Sequence, residues 1–341
     1  MIRVGIIGAT GYTGAELIRL IHNHPDAKLS VLTSRTFENQ LISNVFPKFK
    51  NIIDLKCQSL DIDRISEQID VAFLCLPHSI SMEYAPGFFK NQIKIIDLSA
   101  DYRFTNIDSY ESAYQTHTSK ELLDLSVYGL SEINKEKIQQ ADIIGNPGCY
   151  PTSFLLPMIP LVKEQAIDTK LIISDSKSGV SGAGRAPSLG THFCETNESF
   201  KPYKVSKHRH TPEMEEKLSE IYNNQIKITF VPHLLPVTRG MLTTIYTNVL
   251  EKTTRADIKD IFHKYYGEKY FIRILQKEKF PDILSVRDTN FCDIGFHIDE
   301  STNRIVIVSA IDNILKGAAG QAIQNMNIIF NLEEGTGLSA I

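Results

Sequence analysis

Apolar runs and helical stretches alternate along roughly the first 150 residues of the chain. The run Ile2–Ile7 ends in glycines and predicts a buried strand, and residues 14–23 place Leu17, Ile18 and Ile21 on one face of a helix. Further short apolar runs lie at residues 28–33, 70–76, 92–98 and 141–145. Because short buried strands that alternate with helices form parallel sheets, this part predicts an α/β domain of the Rossmann type.

The pattern changes after residue 150. Longer and partly alternating apolar runs predict a second, α+β domain with a mixed or antiparallel sheet; they lie at residues 170–174, 226–231, 241–247, 291–297 and 304–310. Apolar side chains return to helical spacing at residues 317–330, which predicts an amphipathic helix. Two domains also fit the length of the chain, and we place their boundary near residues 148–150.

Composition narrows the class of protein. The chain has 42% apolar and 22% charged residues, as a soluble globular protein does, and its net charge of -4 argues against binding to nucleic acid or to a membrane surface. No segment resembles a signal peptide, and the longest uncharged stretch, residues 143–162, contains four prolines and does not predict a membrane helix. The five cysteines form no CxxC pair, so we expect reduced thiols, a cytoplasmic location and no metal site.

A glycine-rich turn follows the first predicted strand. Its sequence is Gly8-Ala-Thr-Gly-Tyr-Thr-Gly14, and it opens the first helix. Glycines let a backbone turn tightly and approach a pyrophosphate, which the free N–H groups of the helix N-terminus then bind. The spacing is GxxGxxG rather than GxGxxG, so a purely structural strand–helix turn is the alternative. The residues predicted to bind a dinucleotide here are Gly8, Thr10, Gly11, Tyr12, Thr13 and Gly14.

The end of the second strand indicates which dinucleotide is bound. An NAD site usually has an acidic residue there, but this chain has Ser34 and Arg35, which could hold a 2′-phosphate instead. The alternative is that Arg35 is only a solvated loop charge. We therefore predict NADP(H) as the cofactor.

A single cysteine lies in a rigid turn at the predicted domain boundary. Cys149 stands in the run Gly145-Asn-Pro-Gly-Cys-Tyr-Pro-Thr152, and Pro151 suits the first turn of a helix. A helix N-terminus lowers the pKa of a thiol, which makes a nucleophile of the cysteine. Pro157 and Pro160 are expected to kink or end this helix. The alternative is that Cys149 is a small buried apolar residue.

A basic segment rich in histidine precedes another predicted helix. His208 and His210 lie just before Thr211, a candidate N-cap, and Pro212, a candidate first helical residue. The positive end of a helix favours the neutral imidazole, which can accept a proton. The alternatives are a solvated basic loop or a metal site, although no acidic or cysteine partner for a metal is evident.

Three further segments carry polar groups. The glycine-rich run that begins at Ser178 and Gly179 and ends at Arg185 could be an anion-binding loop or a plain glycine loop. The segment 97–103, which ends in Arg103, follows a predicted strand and should face the crevice at the carboxyl edge of the sheet. The segment 231–240 adds Arg239, or only shapes the entry to a strand.

Together these segments resemble the N-acetyl-gamma-glutamyl-phosphate reductase family, which is related to the aspartate-semialdehyde dehydrogenases. The Gly-Cys-Tyr-Pro run at 148–151 and the run His-Arg-His-Thr-Pro-Glu at 208–213 are specific to the reductases. One departure is Leu-Ser-Glu at 130–132, where the family pattern has Leu-Pro-Glu, and it lies away from the chemistry. The resemblance covers nearly the whole chain and is carried by residues 8–14, 76–78, 97–101, 127–130, 146–152, 178–185, 208–213, 232–236 and 312–321.

The resemblance implies a reaction of arginine biosynthesis. N-acetyl-L-glutamyl 5-phosphate would be reduced by NADPH to N-acetyl-L-glutamate 5-semialdehyde, with release of phosphate, through a thioester on Cys149. It also implies a homodimer or homotetramer of two-domain subunits. The dinucleotide-binding domain would contain residues 1–148 and a returning C-terminal helix at 317–341, and the catalytic domain would contain residues 149–316.

The resemblance also suggests residue roles. His210 would exchange the protons, with His208 as the second choice. Asn146, or backbone N–H groups near Cys149, would stabilise the oxyanion. Because an arginine fork matches phosphate and carboxylate groups, the substrate would be bound by Arg103, Arg185 and Arg239. The further cofactor contacts would be Pro77, Ser178, Gly179 and Asn313.

Three other functions fit parts of the sequence. The same chemistry could act on another acyl phosphate, of the aspartyl or aminoadipyl type, because pocket shape decides this. A non-catalytic NADP-binding regulator would need no activated thiol. A cysteine hydrolase or acyltransferase using Cys149 and His210 would leave the glycine-rich turn unexplained.

Overall fold

A computed structural model describes residues 1–250 and 253–338. The chain forms two compact units. The first contains Met1–Pro147 and the chain from Ala318 onward, and the second contains Gly148–Gly317. Residues 339–341 of the predicted C-terminal segment lie outside the described residues.

The first unit is built on a parallel sheet. In the described part of the chain its seven strands pair in the order β3-β2-β1-β4-β5-β7-β6, and every pair is parallel. This confirms the predicted α/β, Rossmann-type architecture. The strands are β1 Ile2–Ile7, β2 Ala27–Thr33, β3 Cys57–Gln58, β4 Val71–Leu74, β5 Lys94–Asp97, β6 Ser126–Tyr128 and β7 Ile143–Gly145.

The second unit is built on a mixed sheet. Its order is β12-β13-β14-β11-β8-β10-β9, in which β8–β10 and β12–β13 are parallel pairs and the remaining pairs are antiparallel. The predicted mixed sheet is confirmed. The strands are β8 Ile173–Gly179, β9 Lys201–Pro202, β10 Thr229–Leu235, β11 Met241–Asn248, β12 Ile272–Ile274, β13 Cys292–Asp299 and β14 Arg304–Ile311.

The α-helices of the described residues lie in the connections between the strands, except α12, which follows the last strand. None of them combines the length and the apolar character that crossing a bilayer requires. They are α1 Tyr12–His22, α2 Ile42–Val45, α3 Ile62–Ser66, α4 Ser81–Lys90, α5 Ile107–Ala113, α6 Ser131–Gln139, α7 Cys149–Lys163, α8 Phe193–Thr196, α9 His210–Tyr222, α10 Arg255–Tyr266, α11 Ile283–Val286 and α12 Gly320–Ile329.

Two predicted strands of the second unit are displaced from their predicted positions. Residues 170–174 were expected as a strand, but β8 begins at Ile173, because it buries serines rather than apolar side chains: Ser176 shares a hydrogen bond of 2.9 Å with Thr243. Residues 226–231 were also expected as a strand, but β10 begins at Thr229. Ile226 and Ile228 lie in the segment before β10, and both are buried. Their apolar character therefore indicates burial and not a strand.

Helix α7 runs through the two prolines that were expected to kink or end it. A proline in a helix leaves the carbonyl four residues earlier without its N–H partner. Those carbonyls belong to Ser153 and Leu156, and they accept hydrogen bonds from the hydroxyls of Ser309, at 2.5 Å, and Tyr266. The unit therefore satisfies both carbonyls from other elements, and the helix continues to Lys163.

The C-terminal helix α12 belongs to the first unit. It packs against α1 and α6, and its Asn325 donates to the carbonyl of Gly129 at 2.9 Å. The helix was expected from residue 317, but Leu315–Ala319 form a π-helical turn. The reason is local, since the Gly317 N–H bonds to the carbonyl of Asp312, five residues earlier.

Candidate active site

Cys149 is the first residue of α7 and follows Gly148, which has no side chain to cap the helix. The predicted position of this thiol at a helix N-terminus is confirmed. Because the N–H groups of a first helical turn favour negative charge, the position stabilises the thiolate form. Cys149 is also partly exposed, whereas burial raises the pKa of the Cys57 and Cys75 thiols.

Glu213 fixes the residue that precedes this cysteine. Its carboxylate, which is fully buried, accepts a hydrogen bond of 3.0 Å from the Gly148 N–H. Glu213 lies on α9, and α9 packs against α7. A side chain of one helix thus holds the start of the other. The family motif at residues 208–213 contains Glu213 but predicts no role for it.

Aromatic rings connect the two predicted histidines. The rings of His208 and His210 lie 4.8 Å apart, and the Tyr150 ring lies 5.3 Å from the first and 6.0 Å from the second. The Tyr150 hydroxyl is 3.0 Å from that of Tyr203. Burial raises the pKa of Tyr203, and Cys149 is close enough for its charge to raise that pKa further. Cys149, both histidines and both tyrosines therefore form one cluster.

His208 is held as a neutral ring. Burial, followed by the nearby charges of Lys204 and Arg209, lowers its pKa to about 4. Its Nδ1 accepts the backbone N–H of His210 at 3.1 Å, so its proton is on Nε2, which lies 3.4 Å from the Tyr203 hydroxyl. Both ring nitrogens of His208 have partners inside the protein. The residue therefore connects Tyr203 to the backbone of His210.

The start of α9 differs from the prediction. The helix begins at His210 and follows Arg209, whereas Thr211 was expected as its N-cap and Pro212 as its first residue. A proline is tolerated at Pro212 because the first four N–H groups of a helix have no partner within it. His210 is therefore part of the first turn. Among the described residues, no three His, Cys, Asp or Glu side chains are arranged to hold a metal ion.

The backbone of Gly317 lies against the nucleophile candidate. A Cβ atom added to Gly317 would come within 2.8 Å of the Cys149 Cβ. Only a glycine leaves room for the cysteine here, and the contact comes from the π-helical turn that the sequence did not predict. A glycine between Lys316 and Ala318 gave no signal of its own in the sequence.

Three predicted cofactor residues of the second unit lie together. Asn313 accepts the Gly240 N–H through Oδ1 at 2.9 Å and donates from Nδ2 to Ser181 Oγ at 3.0 Å. A Cβ at Gly182 would lie 3.2 Å from Ser178 Oγ and 3.5 Å from Asn313 Nδ2. The loop that begins at Ser178 and Gly179 is thus tied to Asn313, which fixes its course.

The predicted arginines of the second unit differ in their surroundings. Arg185 is exposed in the glycine-rich loop. Arg239 is mostly buried and forms ion pairs with Asp288 at 3.1 Å and with Asp312 at 3.6 Å. Asp312 immediately precedes Asn313, so Arg239 lies beside the same loop. The substrate roles of both arginines stay predictions.

The glycine-rich turn of the first unit is closed on one side and open on the other. Gly8 has a φ of +90°, and a Cβ there would meet the Cys75 carbonyl oxygen at 2.5 Å. A Cβ at Gly14 would meet the Ala9 carbonyl oxygen at 2.6 Å, whereas one at Gly11 would meet nothing within 4 Å. Gly11 precedes α1, whose first turn has no acidic residue. The turn is therefore tight inside and open over the helix N-terminus, and its role in binding a pyrophosphate stays a prediction.

The end of β2 carries the residues predicted to select the nucleotide. The Ser34 hydroxyl is buried, accepts the Phe37 N–H at 3.2 Å and lies 3.2 Å from the Thr10 hydroxyl. Arg35, the next residue, is exposed. Ser34 therefore joins the ends of β1 and β2, and Arg35 is left available to solvent or to a phosphate.

The remaining predicted residues of the first unit follow β4, β5 and β7. Pro77 is exposed in the loop after β4, and the Asp101 carboxylate anchors that loop by accepting the N–H groups of Ser79, at 2.7 Å, and Met82, at 3.1 Å. Arg103 is buried, and it donates to the carbonyls of Asn146 and Leu98. It therefore fixes the loop after β7.

Asn146 is buried in a polar network. Its Nδ2 donates to the Ala318 carbonyl at 3.1 Å, and its Oδ1 accepts from Asn325 at 3.1 Å. In this arrangement both ends of the side chain have partners in the protein. The predicted roles of Asn146 as an oxyanion donor and of Arg103 as a substrate ligand stay predictions.

Comparison with known proteins identifies both units. Residues 3–141 match the family model "Semialdehyde dehydrogenase, NAD binding domain", and residues 149–313 match "Semialdehyde dehydrogenase, dimerisation domain". A protein of Desulforapulum autotrophicum named N-acetyl-gamma-glutamyl-phosphate reductase is 58% identical over 99% of this chain and 98% of its own length. The chain belongs to the N-acetyl-gamma-glutamyl-phosphate reductase family. Proteins of the same name from Acetivibrio thermocellus and Geobacter sulfurreducens are 48% and 45% identical over at least 98% of their lengths.

Solved structures show that this reductase family shares its fold with the aspartate-semialdehyde dehydrogenases. Aspartate semialdehyde dehydrogenase II of Vibrio cholerae superposes with a TM-score of 0.73 at 17% identity, over 97% of this chain and 98% of that one. The enzyme of Candida albicans, solved with NADP, gives the same TM-score, identity and coverage. The first unit is thus the NAD(P)-binding domain of an oxidoreductase.

Proposed function

We propose that this protein reduces N-acetyl-L-glutamyl 5-phosphate to N-acetyl-L-glutamate 5-semialdehyde and phosphate, with NADPH, in arginine biosynthesis. The observation that carries the proposal is the cluster of Cys149, a thiol at the N-terminus of α7, with two tyrosines and two histidines, in a chain of the reductase family. The family relation supports the acetylated glutamyl substrate over the aspartyl and aminoadipyl phosphates.

Cys149 is the proposed nucleophile. Its sulfur attacks the acyl carbon, the bond to phosphate breaks, and a thioester remains on the protein. The N-terminus of α7 stabilises the thiolate before the attack, and Glu213 keeps Gly148, and with it Cys149, in place. Backbone N–H groups of this turn are the better candidates for the oxyanion, because both ends of the Asn146 side chain have other partners.

His210 is the proposed acid and base. It protonates the oxygen of the thiohemiacetal on Cys149 as that intermediate forms, and it removes the same proton when the carbon–sulfur bond breaks and frees the aldehyde. His208 is the weaker candidate, because both of its nitrogens are engaged and its pKa is lowered to about 4. We assign His208 to the orientation of His210.

NADP(H) is the proposed cofactor, and its predicted contacts come from several segments of the sequence. When bound, NADPH supplies the hydride that reduces the thioester. The turn Gly8–Gly14 would bind the pyrophosphate, and Ser34 and Arg35 the 2′-phosphate, while Pro77, Ser178, Gly179 and Asn313 would contact the rest of the molecule. Arg185 and Arg239, and Arg103 as a further candidate, would bind the substrate's phosphate and carboxylate groups.

We further propose that the protein is a homodimer or a homotetramer. One face of the sheet in the second unit is covered by α7, and the other carries half-buried apolar side chains, among them Leu242, Tyr246 and Val306. A second copy of this face would bury them, as the family description of a dimerisation domain suggests. Because the five cysteines form no disulfide, we propose the cytoplasm as the compartment.

The reverse reaction tests the function. Purified protein is given NADP and phosphate together with N-acetyl-glutamate, aspartate or aminoadipate semialdehyde, and formation of NADPH is followed by its absorbance. We expect phosphate-dependent NADPH formation that is fastest by at least about tenfold with the N-acetylated substrate. Faster turnover of another semialdehyde would reject the substrate assignment, and turnover without phosphate would reject the reaction.

A further inference from the structure

A basic cavity lies in the second unit between α10 and the edge strand β12. Its volume is about 570 Å³, within the range of small-molecule sites. Arg255, Lys259 and His263 line one side, at successive i, i+4 positions of α10, and Lys277 lines the other. Within the described residues, no aspartate or glutamate lines this cavity, which we call the α10 cavity. None of these four residues belongs to the proposed catalytic cluster.

The cations of the α10 cavity differ in their carboxylate partners: the exposed Lys277 lies 3.8 Å from Glu278. Within residues 1–250 and 253–338, neither Arg255 nor Lys259 forms an ion pair with an acidic side chain. Other cations nearby are paired: Lys264 of the same helix lies 2.8 Å from Glu164, and Arg273 of β12 binds Asp293 through two hydrogen bonds. Like charges at i, i+4 positions destabilise a helix, so an anion in the cavity would relieve a cost that the chain otherwise bears.

Arg255 is fixed in an orientation that suits a ligand. It lies at the first position of α10, where the helix dipole disfavours a cation. Its guanidinium carbon is 4.8 Å from the centre of the Phe296 ring, and its Nη1 donates to the Phe296 carbonyl at 3.1 Å. The Phe296 ring and carbonyl hold one side of the guanidinium. The guanidinium has five N–H donors, and its bond to the Phe296 carbonyl uses one of them. A preset, incompletely used guanidinium is typical of oxyanion recognition.

Apart from Gln276, the remaining side chains that line the cavity are mainly apolar. Ile272 and Ile274 of β12 and the ring of Tyr266 line the same cavity. A ligand that fills the space must therefore present an anionic group to the cations and an apolar part to these side chains. Because three cationic side chains line the cavity, a group with two negative charges matches them better than a group with one.

We propose that the α10 cavity binds an organic phosphate monoester, with its phosphate on Arg255, Lys259 and Lys277 and its apolar part against Ile272, Ile274 and Tyr266. The site is separate from the proposed reductase chemistry, so its occupant is a regulatory ligand or a second metabolite and not the acyl-phosphate substrate. The inference does not depend on the proposed function.

Phenyl phosphate is the probe, because it joins a phosphate monoester to a small apolar ring. Calorimetric titration of the full chain, with NADP present to occupy the cofactor site, is expected to give one binding event per chain at the α10 cavity. Phenol, benzoate and inorganic phosphate should each bind at least about tenfold more weakly, since each lacks part of the proposed recognition. Benzoate or phenol binding as tightly as phenyl phosphate would overturn the ligand class, and inorganic phosphate binding as tightly would overturn the role of the apolar wall.

A matched pair of variants locates the binding event. Lys259→Ala should weaken phenyl phosphate by about tenfold, whereas Lys264→Ala, which removes the same charge from the same helix outside the cavity, should leave it unchanged within about twofold. Both variants should keep the melting temperature and the reductase activity of the parent. Equal effects of the two variants, or no binding by the parent, would overturn the proposal, and reductase activity of the same samples reports separately on the proposed function.

Discussion

The carboxylate of Glu213 accepts a hydrogen bond of 3.0 Å from the backbone N–H of Gly148, directly before Cys149. We predict that Glu213→Ala lowers kcat by about tenfold to a hundredfold, because the cysteine loses its fixed position, with little change in NADPH affinity. Glu213→Gln should retain most of the rate, since its amide oxygen can accept the same bond. Steady-state kinetics of both variants measure the two losses in kcat. Equal losses would show that the rate depends on the negative charge of Glu213 and not on its hydrogen bond to Gly148.

Gly317 offers a second test of how Cys149 is placed. An added Cβ would lie 2.8 Å from the Cys149 Cβ, so Gly317→Ala must displace one of the two backbones. We expect a loss of activity of at least about tenfold and slower alkylation of Cys149. Gly190→Ala is the control, because its Cβ would meet nothing within 4 Å. Normal activity in Gly317→Ala would mean that the position of the cysteine is not critical.

His208 should couple folding stability to pH. Its pKa is lowered by burial to about 4, against about 6.5 in an unfolded chain, so the folded state favours the neutral ring. The stability that this ring contributes is complete above pH 6.5 and is lost as the pH falls from there towards 4, by about 3 kcal/mol in total. Denaturant unfolding of the parent and of His208→Gln should therefore show a steeper loss below pH 6.5 in the parent. Parallel pH profiles would contradict the neutral assignment.

Pro160 of α7 and Tyr266 of α10 should be coupled in their effects on stability, because both determine the partner of the Leu156 carbonyl. Tyr266→Phe removes the hydroxyl that satisfies the Leu156 carbonyl, and it should lower the free energy of unfolding by about 1–2 kcal/mol. Pro160→Ala restores an N–H that can reach the same carbonyl, so the Tyr266→Phe change should cost less in that background. A double-mutant cycle measures the difference, and strictly additive effects would exclude the proposed exchange of partners.

Arg35 tests the choice of cofactor. If its exposed guanidinium binds the 2′-phosphate, Arg35→Ala should weaken NADPH by about tenfold or more and leave NADH nearly unchanged. Fluorescence titration with both cofactors checks this. Lys28→Ala, which removes an exposed cation from the other end of β2, serves as the control. A similar loss for NADPH and NADH would place the 2′-phosphate elsewhere.

The sequence predicted the parts of the fold in which apolar side chains are arranged regularly. The parallel sheet of the first unit follows from runs such as Ile2–Ile7, whose burial needs no information from elsewhere in the chain. Strand β8 could not be placed in the same way, because its inward residues are serines whose partners, such as Thr243, lie far along the chain. Pro157 and Pro160 could not be interpreted from local sequence either. Local rules treat them as helix breakers, but hydroxyls of residues far along the chain bond the carbonyls that the two prolines leave without an N–H partner.

The candidate site was predicted as a set of residue types and not as an arrangement. Motifs singled out Cys149, His208 and His210, and helix rules placed the cysteine at a helix N-terminus. They could not distinguish the two histidines, since the difference lies in burial and in the bond from the His210 N–H to His208. They also could not find Gly317, whose contact depends on a π-helical turn, nor assign Glu213, whose partner is a backbone group 65 positions away.

The central claim is that Cys149 carries the acyl group during turnover. The most direct measurement mixes the enzyme with N-acetyl-L-glutamyl 5-phosphate in the absence of NADPH and follows release of phosphate on the timescale of one turnover. We predict a burst of about one phosphate per chain, matched by an acyl adduct on Cys149, in the parent and in Cys194→Ser, which changes an exposed thiol outside the cluster, but not in Cys149→Ser. A burst of equal size in Cys149→Ser, or none in the parent, would contradict the account.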